Sequence, residues 1–200
     1  KIDAFAGMAK QLEGMGAKAQ TALHNLSTNI STTSSQIAQE IAGQDWGIDQ
    51  KIAAFQALGE SLKGAGGAGS AAIVSLQKAL DDLTGNSSAD QIRQILDQTG
   101  VSAENLMAQV EALRPTYEGL GQSGATALQN ILKAQQDLQR DIANQQLDVI
   151  FDDTTLSLQQ QGAEVNKLAA TYAAMGPKGA KAYQDVNKQA TTLNSTLARQ

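Results

Sequence analysis

Residues 125–151 read ATALQNILKAQQDLQRDIANQQLDVIF, and the apolar side chains in this stretch return every three or four positions rather than every two. Leu128, Ile131, Gln135, Leu138, Ile142, Gln145 and Val149 alternate in steps of three and four, which on an α-helix makes one narrow stripe. The spacing predicts a helix from Ala125 to Phe151. Two of its seam positions are Gln, and polar seam residues fix register and strand number at some cost in stability.

The same spacing continues on both sides. Downstream, Val165, Leu168, Tyr172 and Met175 form a run that stops at Gly176-Pro177-Lys178-Gly179, and Tyr183, Val186, Ala190, Leu193 and Leu197 form the last. Upstream, Phe5, Met8, Leu12, Met15, Ala19, Ala22 and Leu26 open the chain and continue through Ile30, Ile37 and Ile41 across a Ser/Thr-rich stretch. Ile48, Ile52, Phe55, Leu58 and Leu62 end at a run of glycines, and Ile73, Leu76, Leu80 and Leu83 end at Thr84-Gly85-Asn86. Ser88 with Gln91 fits a capping box, Gly100 a left-handed C-terminal residue, and Ser102 the cap of a helix that stops at Arg114-Pro115.

The fold class is therefore all-α: elongated, coiled-coil-like helices separated by Gly-rich joints, with a small helical pair near 88–114. Three segments follow: 1–63, helical with a Ser/Thr-rich stretch; 64–124, acidic with short helices; and 125–200, helical and coiled-coil-like. The apolar pattern starts directly after Lys1 and runs to the end, so the chain is expected to be a segment of a longer polypeptide.

Composition adds a constraint. The 200 residues hold 42% hydrophobic side chains but only 4% aromatic ones, with 3 Phe, 3 Tyr and 1 Trp. Aromatics bury the most area per residue, so the stripes are expected to pair with identical neighbours instead of closing on themselves. Leu128, Ile131, Gln135, Leu138, Ile142, Gln145, Val149, Val165, Leu168, Tyr172, Met175, Val186, Leu193 and Leu197 are the expected oligomer seam. The mixed seam residues do not choose between dimer and trimer; the seam Gln residues tilt the expectation towards three strands.

Charge and chemistry narrow the function. With 15 basic and 20 acidic residues the formal net charge is −5, and phosphate recognition wants clustered Lys and Arg, so no specific nucleic-acid partner is expected. No run of about 18 apolar residues could span a bilayer. Cys is absent and His24 is the only His, leaving no set of converging metal ligands. Gly64, Gly66 and Gly69 match G-x-G-x-x-G, but that motif works between a strand and a helix; here a helical stripe precedes it, and a joint is the better reading. Asp81-Asp82 and Asp152-Asp153 suit capping or solvation. The Asn-x-Ser/Thr triplets at Asn25, Asn29, Asn86 and Asn194 are what this composition gives by chance. Trp46 between Gly43 and Gly47 is read as an anchor at a joint or subunit contact. No catalytic residue, cofactor site or metal site is assigned, and the chain is not read as an enzyme.

Leu58-Gly-Glu-Ser-Leu-Lys-Gly-Ala-Gly-Gly-Ala-Gly69 and Ala173-Ala-Met-Gly-Pro-Lys-Gly-Ala180, set among Ala/Gln-rich helices, resemble parts of the tail tape measure proteins of long-tailed bacteriophages and related contractile injection systems. The resemblance implies an extended helical ruler present in several copies in the lumen of the virion's tail tube. It would contact tube and tail-tip proteins, set tail length and leave before the DNA. The long hydrophobic segment and peptidase motif of some members are not in these residues. The alternatives are a secreted helical toxin or translocation module using its helices for membrane or receptor contact, a generic coiled-coil scaffold, and an enzyme carried on the acidic Ser88–Arg114 region.

Overall fold

The computed structural model describes residues 2–13, 15 and 19–199, and among them there is no strand. The helices are α1 (Ile2–Glu13), α2 (Gln20–Gly43), α3 (Ile48–Lys63), α4 (Ser70–Leu96), α5 (Ala103–Glu111), α6 (Arg114–Glu118), α7 (Ala125–Asp152), α8 (Leu158–Ala174) and α9 (Ala180–Leu197). Short 3-10 turns at Gly66–Gly69, Gly121–Gly124 and Gly176–Gly179 lead directly into α4, α7 and α9. The all-α reading holds. The Ser/Thr-rich stretch is helical, inside α2.

The first seam does not run unbroken from Phe5 to Leu26, because α1 stops at Glu13 and α2 starts at Gln20. Residues 14 and 16–18 of that run, and the terminal residues 1 and 200, lie outside the described residues.

The three turns share one geometry. Gly66, Gly121 and Gly176 have φ of +57°, +56° and +61°, a left-handed conformation that costs other residues about 1–2 kcal/mol. They stand fifty-five residues apart, and Gly16 precedes the first by fifty. Around them the sequence repeats. Eleven positions before the glycine stand Phe5, Phe55, Val110 and Val165; four before it, Leu12, Leu62, Tyr117 and Tyr172. Six after it stand Ala22, Ala72, Ala127 and Ala182; ten after it, Leu26, Leu76, Ile131 and Val186. The chain is a tandem array of one helix–turn–helix module, the pattern of repeat proteins.

Three residues after the turn glycine a second small residue is needed. A Cβ on Gly69 would overlap the Leu62 carbonyl oxygen, and one on Gly179 the Tyr172 carbonyl oxygen. The new helix thus starts against the last turn of the old one, and the pair folds back. Gly162 near the start of α8 lies beside Leu193 and Leu197 near the end of α9, so these two helices run antiparallel.

Two compact units result. One comprises Lys1–Ser87 with Gly119–Ala127, the other Ser88–Glu118 with Leu128–Gln200. These limits differ from the sequence division at 63/64 and 124/125, since packing partners and not composition define a unit. In the first unit α1 packs on α2 and α3 around Phe55, Leu62, Leu76 and Ile30, with Ala6, Ala9, Ala65 and Ala72 among them. In the second, Ala143, Leu147, Val165, Ala169, Tyr172, Ala182, Val186 and Ala190 form a core. Scarce aromatics do not prevent closure, because Ala lets helices approach within the 8–10 Å at which backbones and small side chains interlock.

The helix end expected at Thr84-Gly85-Asn86, and the capping box at Ser88, are not there: α4 runs through to Leu96. The breaker-like residues face neighbouring helices instead. The Thr84 hydroxyl donates to the Ser123 carbonyl at 2.8 Å. A Cβ on Gly85 would lie 2.7 Å from Thr126 Cγ2, and Ser88 Oγ accepts from Asn130 Nδ2 at 3.1 Å. Asp81 reaches the first turn of α7, accepting from the Thr126 amide at 3.1 Å and its hydroxyl at 2.7 Å, where a carboxylate meets the positive helix end. Gly100 (φ +76°) and Ser102, whose hydroxyl caps α5 through the Asn105 amide, are as the spacing predicts.

Gly179→Ala should cost about 1–3 kcal/mol by overpacking, whereas Gly119→Ala, whose Cβ meets nothing within 4 Å, should shift stability by no more than about 0.5–1 kcal/mol. Urea unfolding of the two variants checks this.

Candidate interaction surfaces

The expected oligomer seam lies largely inside the chain. Ile131, Leu138, Ile142, Val165, Tyr172 and Val186 are buried by the chain's own helices, and Leu128, Leu168, Leu193 and Leu197 are half-buried. Gln145, Val149 and Met175 are exposed. The heptad reading fails at the end of α7 for a geometric reason. A straight helix drifts about 20° per heptad from a 3.5-residue period, so the inward positions after Ile142 are Ala143 and Leu147. Leu147 is 5% exposed and Val149 72%.

Gln135 is the polar residue at the centre of α7, 1% exposed, and it belongs to a charged cluster within the second unit. Its side chain donates to Glu111 and accepts from Arg114 Nη2 at 3.2 Å. Glu111 also accepts from Arg114 Nε at 3.1 Å and from Lys178 Nζ at 3.0 Å. Burial pushes the Glu111 carboxyl upward, and hydrogen bonds from Lys178, Gln135 and Arg114 overcome it, so its pKa lies below the ordinary 4.5. The Glu111 and Lys178 side chains remain partly open to solvent, while Gln135 is enclosed. The cluster ties α5, α6, α7 and the turn before α9 together. Sequence reasoning missed Glu111 and Lys178 as partners, since they stand 67 residues apart.

A groove of about 480 Å³ lies between α7 and α8, floored by Ile142, Val149, Ile150 and Leu168 and edged by Glu104, Glu164 and Lys167. Tyr172 beside it donates its hydroxyl to Gln146 at 2.9 Å. Burial, and then the charge of Glu104, hold its pKa above 10.0.

The remaining sequence candidates are placed as follows. The G-x-G-x-x-G glycines sit between two helices. His24 is exposed, and Trp46 is 46% exposed. Asp153 accepts from the amide and hydroxyl of Thr155, which lower its pKa. Among the described residues no group of three or more His, Asp or Glu could hold a metal ion, and no helix is long and apolar enough to cross a membrane.

Because the folded pKa of Glu111 is lowered, its stabilising contribution is complete above 4.5 and is lost as pH falls from there through the folded value. Stability measured from pH 6 to 3 should drop in that window, and Glu111→Gln should flatten that part of the curve. Leu138→Ala should destabilise by about 2–5 kcal/mol with a midpoint independent of protein concentration, as an intrachain core requires. Val149→Asp should stay within about 0.5 kcal/mol. Compared with known proteins, the chain matches no family model, no curated sequence and no solved structure.

Proposed function

We propose that this chain is a non-catalytic, length-bearing segment of a tape-measure-type protein of a phage-like tail. The observation that carries the reading is the tandem module, with turn glycines at 66, 121 and 176 in one conformation. A ruler must convert residue count into length in equal steps, and a repeated module supplies such steps. The chain's weak net charge, −5 over 200 residues, suits a protein that precedes DNA through a tube without retaining it. The left-handed glycines are points at which a hairpin can open, since each opens the short turn between the two helices of its module. In this reading the chain lies in the tube lumen in several copies, with tube and tail-tip proteins as its neighbours.

The test is a register-preserving deletion of residues 121–175, which joins Leu120 to Gly176, in the particle that carries the protein. Electron microscopy should find every tail shortened by one constant step, at most about 80 Å, the length of 55 residues of straight helix. Duplicating the same residues should lengthen tails by the same step. Tails of unchanged length would overturn the reading.

A further inference from the structure

From α4 and α5 to α7 and α8 the sequence repeats at fifty-five residues, and the repeat keeps a frame while changing what fills it. The Tyr117 hydroxyl donates to Gln91 at 2.9 Å, and fifty-five residues on the Tyr172 hydroxyl donates to Gln146 at 2.9 Å. Ile95 and Leu113 correspond to Ile150 and Leu168. Two positions change their chemistry: Ile142 stands where the earlier copy has Ser87, and Val149 where it has Gln94. Val149 is 72% exposed, so its apolar side chain adds little to the fold's own core, at a place where the frame accepts Gln. Ile142, Val149, Ile150 and Leu168 together floor the groove between α7 and α8.

The edge changes as well. Gln98 and Gln109 exchange hydrogen bonds of 2.9 and 3.3 Å, which tie the residues after α4 to α5. Their counterparts are Asp153 and Glu164, and two ionised carboxylates are acceptors only, so they cannot form that bridge. Asp153 accepts from the Thr155 amide instead, and Glu164 pairs with Lys167 at 3.7 Å. The groove of about 480 Å³ falls within the roughly 300–1,000 Å³ of small-molecule sites.

Charge selects the ligand. Lys167 is matched by Glu164, whereas Glu104, which reaches the edge from α5, forms no ion pair among the described residues. Its charge acts on the groove, since burial and then Glu104 hold the neighbouring Tyr172 phenol above 10.0. An anion at this edge would meet two carboxylates, and a neutral hydrocarbon would desolvate Glu104 without a partner for it. An apolar body that carries a positive charge satisfies both the floor and the edge.

We propose that the groove between α7 and α8 binds a small amphiphilic amine, its hydrocarbon part on Ile142, Val149, Ile150 and Leu168 and its ammonium beside Glu104. The site lies wholly within the second unit and does not rest on the tail reading.

Titrating the 200-residue chain with octylammonium, octanol and octanoate, followed by methyl NMR, tests it. Octylammonium should shift the Val149, Ile150 and Leu168 methyl signals and saturate below about 10 mM. Octanol should bind about three- to fivefold more weakly, and octanoate more weakly still. Glu104→Gln should weaken octylammonium by that same factor and leave octanol unchanged. Val149→Gln, which places in α7 the residue of the corresponding site on α4, should weaken both about fivefold or more. Val74→Gln, at a 65% exposed valine of the first unit, should change neither. The proposal is overturned if no saturable shifts appear at these methyls, if octanoate binds as tightly as octylammonium, or if Val149→Gln or Glu104→Gln has no effect. A chain that sediments as a dimer and becomes monomeric with Val149→Gln would assign the groove to a second copy, and would overturn it too.

Discussion

The close approach of backbone to backbone at the turn is the constraint on which everything else depends. A left-handed glycine reverses the chain, and three residues later a second small residue sits against the carbonyl of the preceding helix, Leu62 for Gly69 and Tyr172 for Gly179. Once those contacts are set, the second helix can only run back along the first. The positions four before and ten after the glycine then face inward together. Their occupants vary (Leu or Tyr, Leu, Ile or Val), while the glycine and the alanine between them do not. Backbone geometry is held constant and packing is adjusted around it.

This arrangement explains how a chain with few aromatics forms buried cores. Helices brought together by glycine and alanine gain dispersion contacts along their length, and one large residue per helix end, Phe55 or Tyr172, fills what remains. Polar side chains are admitted only where they are satisfied. Gln135 meets Glu111 and Arg114, Thr84 meets Ser123, and among the described residues no buried side-chain polar atom lacks a partner. Such groups cost little when paired and much when not.

The helical class and most helix limits were legible in the sequence, because three-and-four spacing and glycine punctuation are local signals. The module was not. Its constant residues are Gly and Ala, the commonest background in this chain, and its apolar positions change identity from copy to copy. Aligning the glycines at 16, 66, 121 and 176 would have exposed it. Reading the stripes as seams for other copies followed from assuming a heptad period, which holds to Ile142 and fails at Val149. Thr84, Gly85 and Asn86 look like a helix stop in isolation, and only the presence of Ser123 and Thr126 makes a continuous helix there favourable. The Glu111 cluster joins residues from four elements, and no local pattern announces it.

The account turns on whether a module folds back on itself, and a distance measurement decides it most directly. Because the chain has no Cys, spin labels can be placed uniquely with Glu164→Cys on α8 and Ser195→Cys on α9, both exposed. Pulsed dipolar spectroscopy should give a narrow distribution below about 20 Å, two adjacent helices apart plus the label arms. A distribution centred near 45 Å, the span of about 31 residues of uninterrupted helix, would contradict it.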